Sequence, residues 1–209
     1  TLSFGEPAQR CNQYARWGLG QGLKAGDVVR LMMPNCAQYM AIWLGLSRIG
    51  VVAALINTNL AAEALIHSIS IGVPRAIIVG SELASPLMAV RSHLPAGLLY
   101  RVYGQSAFDI VPLAPELEQF SGDELRDFEC APQPIESTAL YIYTSGTTGL
   151  PKAARVSHYR VMQWSHWFAV LMDTRPADRL FNCLPLYHRV GGVLAGGAAI
   201  EAAAKAAGH

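Results

Sequence analysis

The sequence lacks the charge imbalance that is typical of proteins that bind nucleic acids or anionic membrane surfaces. Its 209 residues include 16 basic and 15 acidic side chains, and the formal net charge is +1. A balance this close gives no electrostatic reason to expect either partner. We therefore expect small-molecule substrates, and no nucleic acid.

Cysteines are also few, and they are widely spaced. Cys11, Cys36, Cys130 and Cys183 form no C-x-x-C pair, which argues against a zinc knuckle or a disulfide framework. Free thiols in a reducing cytosol are the simpler interpretation. They predict a cytoplasmic protein.

Long hydrophobic runs are missing as well. The longest, at 41–56, is interrupted by Arg48 and Gly50 and falls short of the roughly 20 residues that span a bilayer. The first residues show no signal-peptide pattern and read as a helix entered part-way. The chain is nevertheless rich in apolar residues, at 52%, which is ample for a core and excludes disorder.

Short β-prone runs alternate with segments of helical period, which predicts an α/β fold with largely parallel sheets flanked by helices. Helices are expected within 36–50 and 61–72, each closed by a glycine, and after Ser157 as N-cap. The apolar stripe of this last helix is predicted to be Val161, Trp164, Phe168 and Leu171. The predicted strands lie at 27–33, 51–56, 75–80, 98–103, 138–143 and 179–184.

Composition also divides the chain. We expect a first α/β subdomain at 1–135, incomplete at its start, and the beginning of a second α/β portion at 136–199, because a Pro-rich and acidic connection separates them. Residues 200–209 contain one EAAAK unit, the composition of an artificial helical spacer, so we interpret them as a linker or tag remnant.

One stretch concentrates Gly, Ser and Thr: "YIYTSGTTGLPKAA" at 141–154. Glycines let backbone N–H groups approach a phosphate, hydroxyls add donors, and Lys152 adds a positive charge. The spacing is neither G-x-x-x-x-G-K-[ST] nor G-x-G-x-x-G. On composition alone, a phosphate cradle and an elaborate turn both remain open.

A second stretch, "LPLYHRVGG" at 184–192, combines large polar-tipped side chains with a glycine pair. Tyr187 and His188 would form a wall, and Gly191 and Gly192 would leave space beside it. The alternative is a turn followed by a tightly packed, glycine-rich start of a helix. Elsewhere, His67, His158 and His166 are expected to be surface or hydrogen-bonded histidines, and Trp164 and Trp167 to be core anchors.

"YTSGTTGLPK" resembles the phosphate-loop signature of the adenylate-forming superfamily, which includes acyl-CoA synthetases, luciferases and peptide-synthetase adenylation domains. "LPLYHRVGG" resembles the segment beside the carboxylate-substrate pocket of the same superfamily. "GVVAALINTNL" at 50–60 is similar to the very-long-chain acyl-CoA synthetase and fatty-acid-transport-protein branch. The resemblance covers 1–197 and only the first part of a family member.

The resemblance implies a place in the large N-terminal domain of an adenylate-forming enzyme, with ATP, Mg²⁺ and coenzyme A as reactants or cofactors. It implies that a loop holds the ATP phosphates, that Lys152 and Thr147 act in catalysis, that Thr147 reaches the Mg²⁺ shell, and that Tyr187, His188, Gly191 and Gly192 border the acyl substrate. The implied phosphate-loop residues are Thr144, Ser145, Gly146, Thr147, Thr148, Gly149 and Lys152.

By this resemblance the whole protein is a fatty-acid–CoA ligase, and the chain alone is inactive because the later family motifs are absent from it. Three alternatives stay open: a non-catalytic fatty-acid binding or transport module, an inert structural fragment, and an adenylation enzyme for another carboxylic acid. Peripheral association of the whole protein with a membrane, its oligomeric state and its acyl chain length are left open too.

Overall fold

The structure is a computed structural model that describes residues 5–105, 108–130, 132–144 and 149–206. Its described strands form one sheet in the order β5-β4-β3-β1-β2-β6-β7. All neighbouring pairs are parallel except the antiparallel pair β6–β7. The strands are β1 (Val28–Met32), β2 (Val52–Leu55), β3 (Pro74–Gly80), β4 (Leu99–Tyr103), β5 (Val111–Pro112), β6 (Thr138–Thr144) and β7 (Lys152–Ser157).

Helices connect most of these strands. The chain changes direction across the sheet at β2, and α2 and α3, the helices before and after that strand, therefore lie on opposite faces. The helices are α1 (Gly5–Gly20), α2 (Ala37–Arg48), α3 (Ala62–Ser70), α4 (Ala84–Val90), α5 (Leu113–Leu117), α6 (His158–Leu171) and α7 (Gly197–Ala206), and a π-helix (Arg189–Gly196) precedes α7. The predicted α/β fold class is confirmed.

Both faces of the sheet are buried, which is why its central strands are almost entirely apolar. Val29 and Leu31 of β1 pack with α1 and α2 on one face. Val28 and Met32 point to the other face, which α3 and α4 cover. Because side chains alternate along a strand, each strand contributes to both clusters. Arg30 is the exception on the second face, and it is fully buried there.

Five of the six predicted strands are confirmed to within a few residues. The sixth prediction, a strand at 179–184, is wrong. That segment is irregular, Phe181 is 91% exposed, and no strand in the described part of the chain pairs with it. A β-prone run becomes a strand only where another backbone supplies hydrogen bonds. Two of the seven described strands were not among the six predicted ones. β5 was missed because Val111–Pro112 is too short to show a period, and the run at 153–157 in β7 is short and β-prone but was not assigned as a strand.

Helix α6 begins as expected but turns a different face inward. Ser157 caps it by accepting a hydrogen bond from the Arg160 backbone N–H. The buried residues are Ser165 and Ala169, one position beyond the predicted stripe, and Trp167 is 55% exposed. Small residues let α6 approach the π-helix closely, where Ser165 Oγ donates to the Val193 carbonyl at 3.2 Å. The prediction that Trp167 is a core anchor is therefore wrong.

The predicted boundary at 135/136 stays a prediction, although hydrogen bonds of the sheet continue across it from β2 to β6. Residues 200–206, the described part of the predicted linker at 200–209, belong to helix α7. Helix α7 is tied to α6 by His166 Nδ1 and Glu201 Oε1, which are 2.8 Å apart.

The four cysteines are free, and Cys183 is exposed. Burial raises the pKa of Cys11 to about 11.

An ion pair fastens the acidic connection to α1. Arg16 Nε lies 2.8 Å from Glu129 Oε1, and Arg16 also donates to the carbonyls of Ser121, Asp123 and Glu124. The hydrogen bond from Arg16, with a second one from the Arg126 backbone N–H, lowers the pKa of Glu129 from 4.5 to about 2. Arg16 thus makes several of the hydrogen bonds that hold the acidic connection against α1.

We expect Glu129→Gln to lower the free energy of unfolding at pH 7 by on the order of 1 kcal/mol, or about 2–4 °C in Tm. Because the folded-state pKa is depressed, the carboxylate stabilises the fold above its unfolded pKa. That contribution is lost as the pH falls toward 2. Thermal unfolding at pH 7, 4 and 3 should therefore show a shrinking difference from wild type. Glu136→Gln, at an exposed position, is the control, and a difference that is constant with pH would contradict the assignment.

Candidate functional site

The Gly/Ser/Thr loop lies at the carboxyl edge of the parallel strands. β6 runs parallel to β2 and ends at Thr144, and β7 returns antiparallel from Lys152, so Thr144 and Lys152 face each other across the hairpin. Thr144 Oγ1 donates to the Lys152 carbonyl at 3.4 Å. In open α/β sheets this edge is where ligands bind.

The middle of the loop, Ser145, Gly146, Thr147 and Thr148, lies outside the described residues. Gly149 follows with φ of +92°, and nothing lies within 4 Å of a Cβ built on it. Glycine is therefore required there for its backbone conformation and not for lack of space. The Lys152 side chain is exposed at the start of β7, where a mobile cation is open to solvent and to ligands.

The residues on either side of the loop, Tyr143 and Pro151, are both hydrogen-bonded to α3. The Tyr143 hydroxyl donates to the Ser68 carbonyl at 2.7 Å, and His67 Nε2 lies 3.0 Å from the Pro151 carbonyl. Burial raises the pKa of Tyr143 to about 12, so its hydroxyl remains a neutral donor. His67 was expected to be a surface or hydrogen-bonded histidine, and the hydrogen-bonded alternative is the observed one.

The segment at 184–188 is held against the carboxyl end of β1 by a residue that the motifs do not include. Asn35 Nδ2 donates to the Leu184 carbonyl and Asn35 Oδ1 accepts from the Leu186 N–H, each at 2.8 Å. The sequence feature that could have identified Asn35 is its position directly after a predicted buried strand. Asn59, in the corresponding place after β2, approaches the Tyr187 hydroxyl at 3.4 Å.

Within this segment the two aromatic residues differ in exposure. Tyr187 is buried, whereas His188 is exposed, and their ring centroids are 4.6 Å apart. Gly191 and Gly192 are buried, and a Cβ on either would meet the backbone carbonyls of Pro185 or Leu186. The glycine pair therefore packs tightly and leaves no gap here. Its role in binding an acyl substrate stays a prediction.

The remaining candidates do not form a metal centre. Burial lowers the pKa of His158, and His166 is paired with Glu201. In the described ranges, no group of three or more His, Cys, Asp or Glu side chains is placed to hold a metal ion. A separate apolar cavity of about 630 Å³ lies between α2, α6 and α7, with Met40, Trp43 and Met162 in its lining. The segment at 184–192 does not line it.

The fold and the position of the loop define the class of protein. The fold of the chain matches that of the anthranilate CoA ligase AuaEII in complex with anthranoyl-AMP, with a TM-score of 0.83 and 23% sequence identity. The match covers 94% of this chain and 38% of that chain. It also matches the inhibitor-bound N-terminal domain of FACL13 from Mycobacterium tuberculosis, with a TM-score of 0.82 and 28% identity over 96% of this chain and 48% of that one. These matches identify the N-terminal domain of an adenylate-forming enzyme.

The chain belongs to the AMP-binding enzyme family, whose match covers residues 1–205. It is 36% identical over 184 residues to long-chain fatty acid transport protein 6 of Mus musculus, which is 86% of this chain and 29% of that relative. The resemblance to the adenylate-forming superfamily and to its fatty-acid-transport-protein branch is confirmed. The chain thus spans less than a third of the length of this curated relative.

We expect Asn35→Ala to loosen the segment at 184–188, because it removes two hydrogen bonds from one side chain. The Leu186 amide should then exchange its hydrogen about tenfold faster, as expected for a net loss of about 1–1.5 kcal/mol. Gln119→Ala is the control, since the exposed Gln119 side chain bonds only the nearby Pro115 carbonyl among the contacts of the described residues. Hydrogen exchange measured by NMR tests this, and an unchanged rate at Leu186 would show that Asn35 does not hold the segment.

Proposed function

We propose that the whole protein is an acyl-CoA ligase that activates a long-chain fatty acid with ATP, and that this chain supplies the phosphate loop and one wall of the acyl site. The observation that carries the proposal is that "YTSGTTGLPK" connects β6, which ends at Thr144, to β7, which begins at Lys152, at the carboxyl edge of the parallel strands. The family match and the name of the curated relative support the ligase chemistry and the long-chain substrate.

The reaction has two steps. A carboxylate oxygen of the acid attacks the α-phosphorus of ATP, the bond to the bridging oxygen breaks, and pyrophosphate leaves as an acyl-adenylate forms. The thiolate of coenzyme A then attacks the acyl carbonyl carbon, and AMP leaves. The AuaEII complex with anthranoyl-AMP contains an adenylate of this kind.

The chain's own residues stabilise and position the reactants. Loop N–H groups and the hydroxyls of Ser145, Thr147 and Thr148 would donate to the β- and γ-phosphates, and Lys152 would neutralise their charge. The exposed His188 would orient the carboxylate, with the buried Tyr187 supporting its ring. These roles are positional and electrostatic, and no side chain acts as a nucleophile.

The residues of this site fit Mg²⁺ only if the ion binds together with the nucleotide, whose phosphates would supply most of its ligands. The described residues hold no carboxylate cluster for a cation, and Mg²⁺ is commonly held by substrate phosphates with few protein ligands. Thr144, and Thr147 outside the described residues, would offer hydroxyl oxygens to its shell. When bound, the ion supplies charge neutralisation at the phosphates.

A second candidate function is fatty-acid binding or transport without chemistry, which the name of the relative favours. The described helices are individually too short or too polar to cross a bilayer. Pyrophosphate exchange by the intact protein, measured with acids of increasing chain length, separates the two functions, because a transport module would show none.

We expect Lys152→Ala to lower kcat/KM in pyrophosphate exchange by the intact protein at least tenfold, because it removes a cation that faces developing phosphate charge. Its Tm should stay within about 1 °C of wild type, since an exposed lysine contributes little to stability. Lys24→Ala, at an exposed turn position, is the control. Equal exchange rates in Lys152→Ala and wild type would refute the assignment.

We expect His188→Ala to raise KM for the fatty acid severalfold more than KM for ATP, because the lost contact belongs to one substrate. Steady-state kinetics with each substrate varied in turn measure both constants, and His93→Ala is the control at another exposed position. Equal shifts, or none, would reduce His188 to a packing role.

We also expect the 209-residue chain alone to make no acyl-CoA from ATP, Mg²⁺, coenzyme A and fatty acid. Charge stabilisation is needed on both sides of the reacting carboxylate and phosphate, and the chain supplies one side. Product above the no-protein background, measured by mass spectrometry, would overturn this expectation.

A further inference from the structure

Helix α3 makes a hydrogen bond to the C-terminal end of the Gly/Ser/Thr loop. The bond comes from His67, a residue outside both motif segments. His67 Nε2 lies 3.0 Å from the Pro151 carbonyl oxygen. That oxygen can only accept a hydrogen bond, so His67 must carry its proton on Nε2. Both the Nε2–H neutral tautomer and the imidazolium meet this requirement. His67 is half-buried in this contact.

The next residue of α3 holds the entrance of the loop. The Ser68 carbonyl accepts from the Tyr143 hydroxyl at 2.7 Å, in a buried environment with Tyr143 9% exposed. Tyr143 directly precedes Thr144, and Pro151 directly precedes Lys152. Two consecutive residues of one helix therefore bond the residues that flank the loop from Thr144 to Leu150.

Helix α3 is itself anchored in the core. Arg30 of β1 is fully buried, and its guanidinium donates to the Ile69 carbonyl at 2.9 Å and to the Gly72 carbonyl at 3.0 Å, with a further bond to Ile71. These carbonyls lie at the C-terminus of α3, where a cation also complements the helix dipole. Because one end of α3 is fixed to β1, the helix is a rigid support for His67.

We propose that His67 is a positioning residue of the phosphate loop, which orients the Pro151–Lys152 peptide and so directs Lys152 toward the nucleotide phosphates; this rests on the proposed function. Pro151 has no N–H, so its carbonyl is the polar backbone group available to hold it. The peptide unit is planar, so fixing the Pro151 carbonyl also fixes the Lys152 nitrogen. Loss of the bond frees that plane to rotate.

The test compares His67→Ala, His67→Gln and wild type in the intact protein. His67→Ala should raise KM for ATP in pyrophosphate exchange about fivefold to tenfold, as expected for one hydrogen bond, and change KM for the fatty acid less than twofold. His67→Gln places an amide N–H close to the position of Nε2 and should restore most of the ATP affinity. His93→Ala is the matched control, because His93 is exposed and lies in the short 3₁₀ helix (Arg91–His93) that follows α4.

A second measurement detects the contact without turnover. Hydrogen exchange of backbone amides at 149–153 should accelerate in His67→Ala and return toward wild type in His67→Gln. Tyr143→Phe, which removes only the hydroxyl, should accelerate exchange at 143–144 and raise KM for ATP as well. It serves as the second variant if His67→Ala does not fold.

The outcomes separate the two proposals. A wild-type protein without pyrophosphate exchange for any acid defeats the proposed function, whereas the hydrogen-exchange measurement still tests the contact. Unchanged exchange at 149–153 in His67→Ala overturns the positioning role whatever the activity. Equal rises in both KM values, or no rescue by His67→Gln, would also overturn it, because a packing role has no preference for one substrate or for an N–H donor.

Discussion

The parallel pairing of β2 with β6 is the contact on which the candidate site depends. Ala53, Ala54 and Leu55 pair with Leu140, Tyr141 and Ile142, across more than eighty residues of sequence. This pairing places the β6–β7 hairpin beside α3, the helix that follows β2. Without it, the Gly/Ser/Thr loop would have no fixed position relative to β1 and β2.

Small residues make that pairing compatible with burial. β2 is completely buried between the two helical layers, and the small side chains of Ala53 and Ala54 at its centre need little space there. Close approach recurs where α6 meets the π-helix through Ser165 and where Gly191 and Gly192 contact the carbonyls of the 184–186 segment. At both places, small residues let backbone segments approach one another closely.

Polar contacts from residues distant in the sequence then fix the two motif segments. Asn35 bonds the segment at 184–186 from the end of β1, and His67 and Ser68 bond the hairpin from α3. The buried Arg30 holds α3 in place. Arg30, His67 and Ser68 lie on a strand and a helix of the scaffold, whereas Asn35 lies in the short connection between β1 and α2. Loops that bind ligands commonly rely on such support from rigid elements.

The sequence by itself determined the α/β class, most of the strands, the N-cap at Ser157 and the two motif segments, because periodicity and local chemistry act over a few residues. The tertiary structure decided which histidine contacts the loop, which asparagine holds the segment at 184–188, and which face of α6 is buried. It also decided that 179–184 is not a strand. These outcomes depend on partners far away in the chain, and a local pattern contains no information about where such partners will lie.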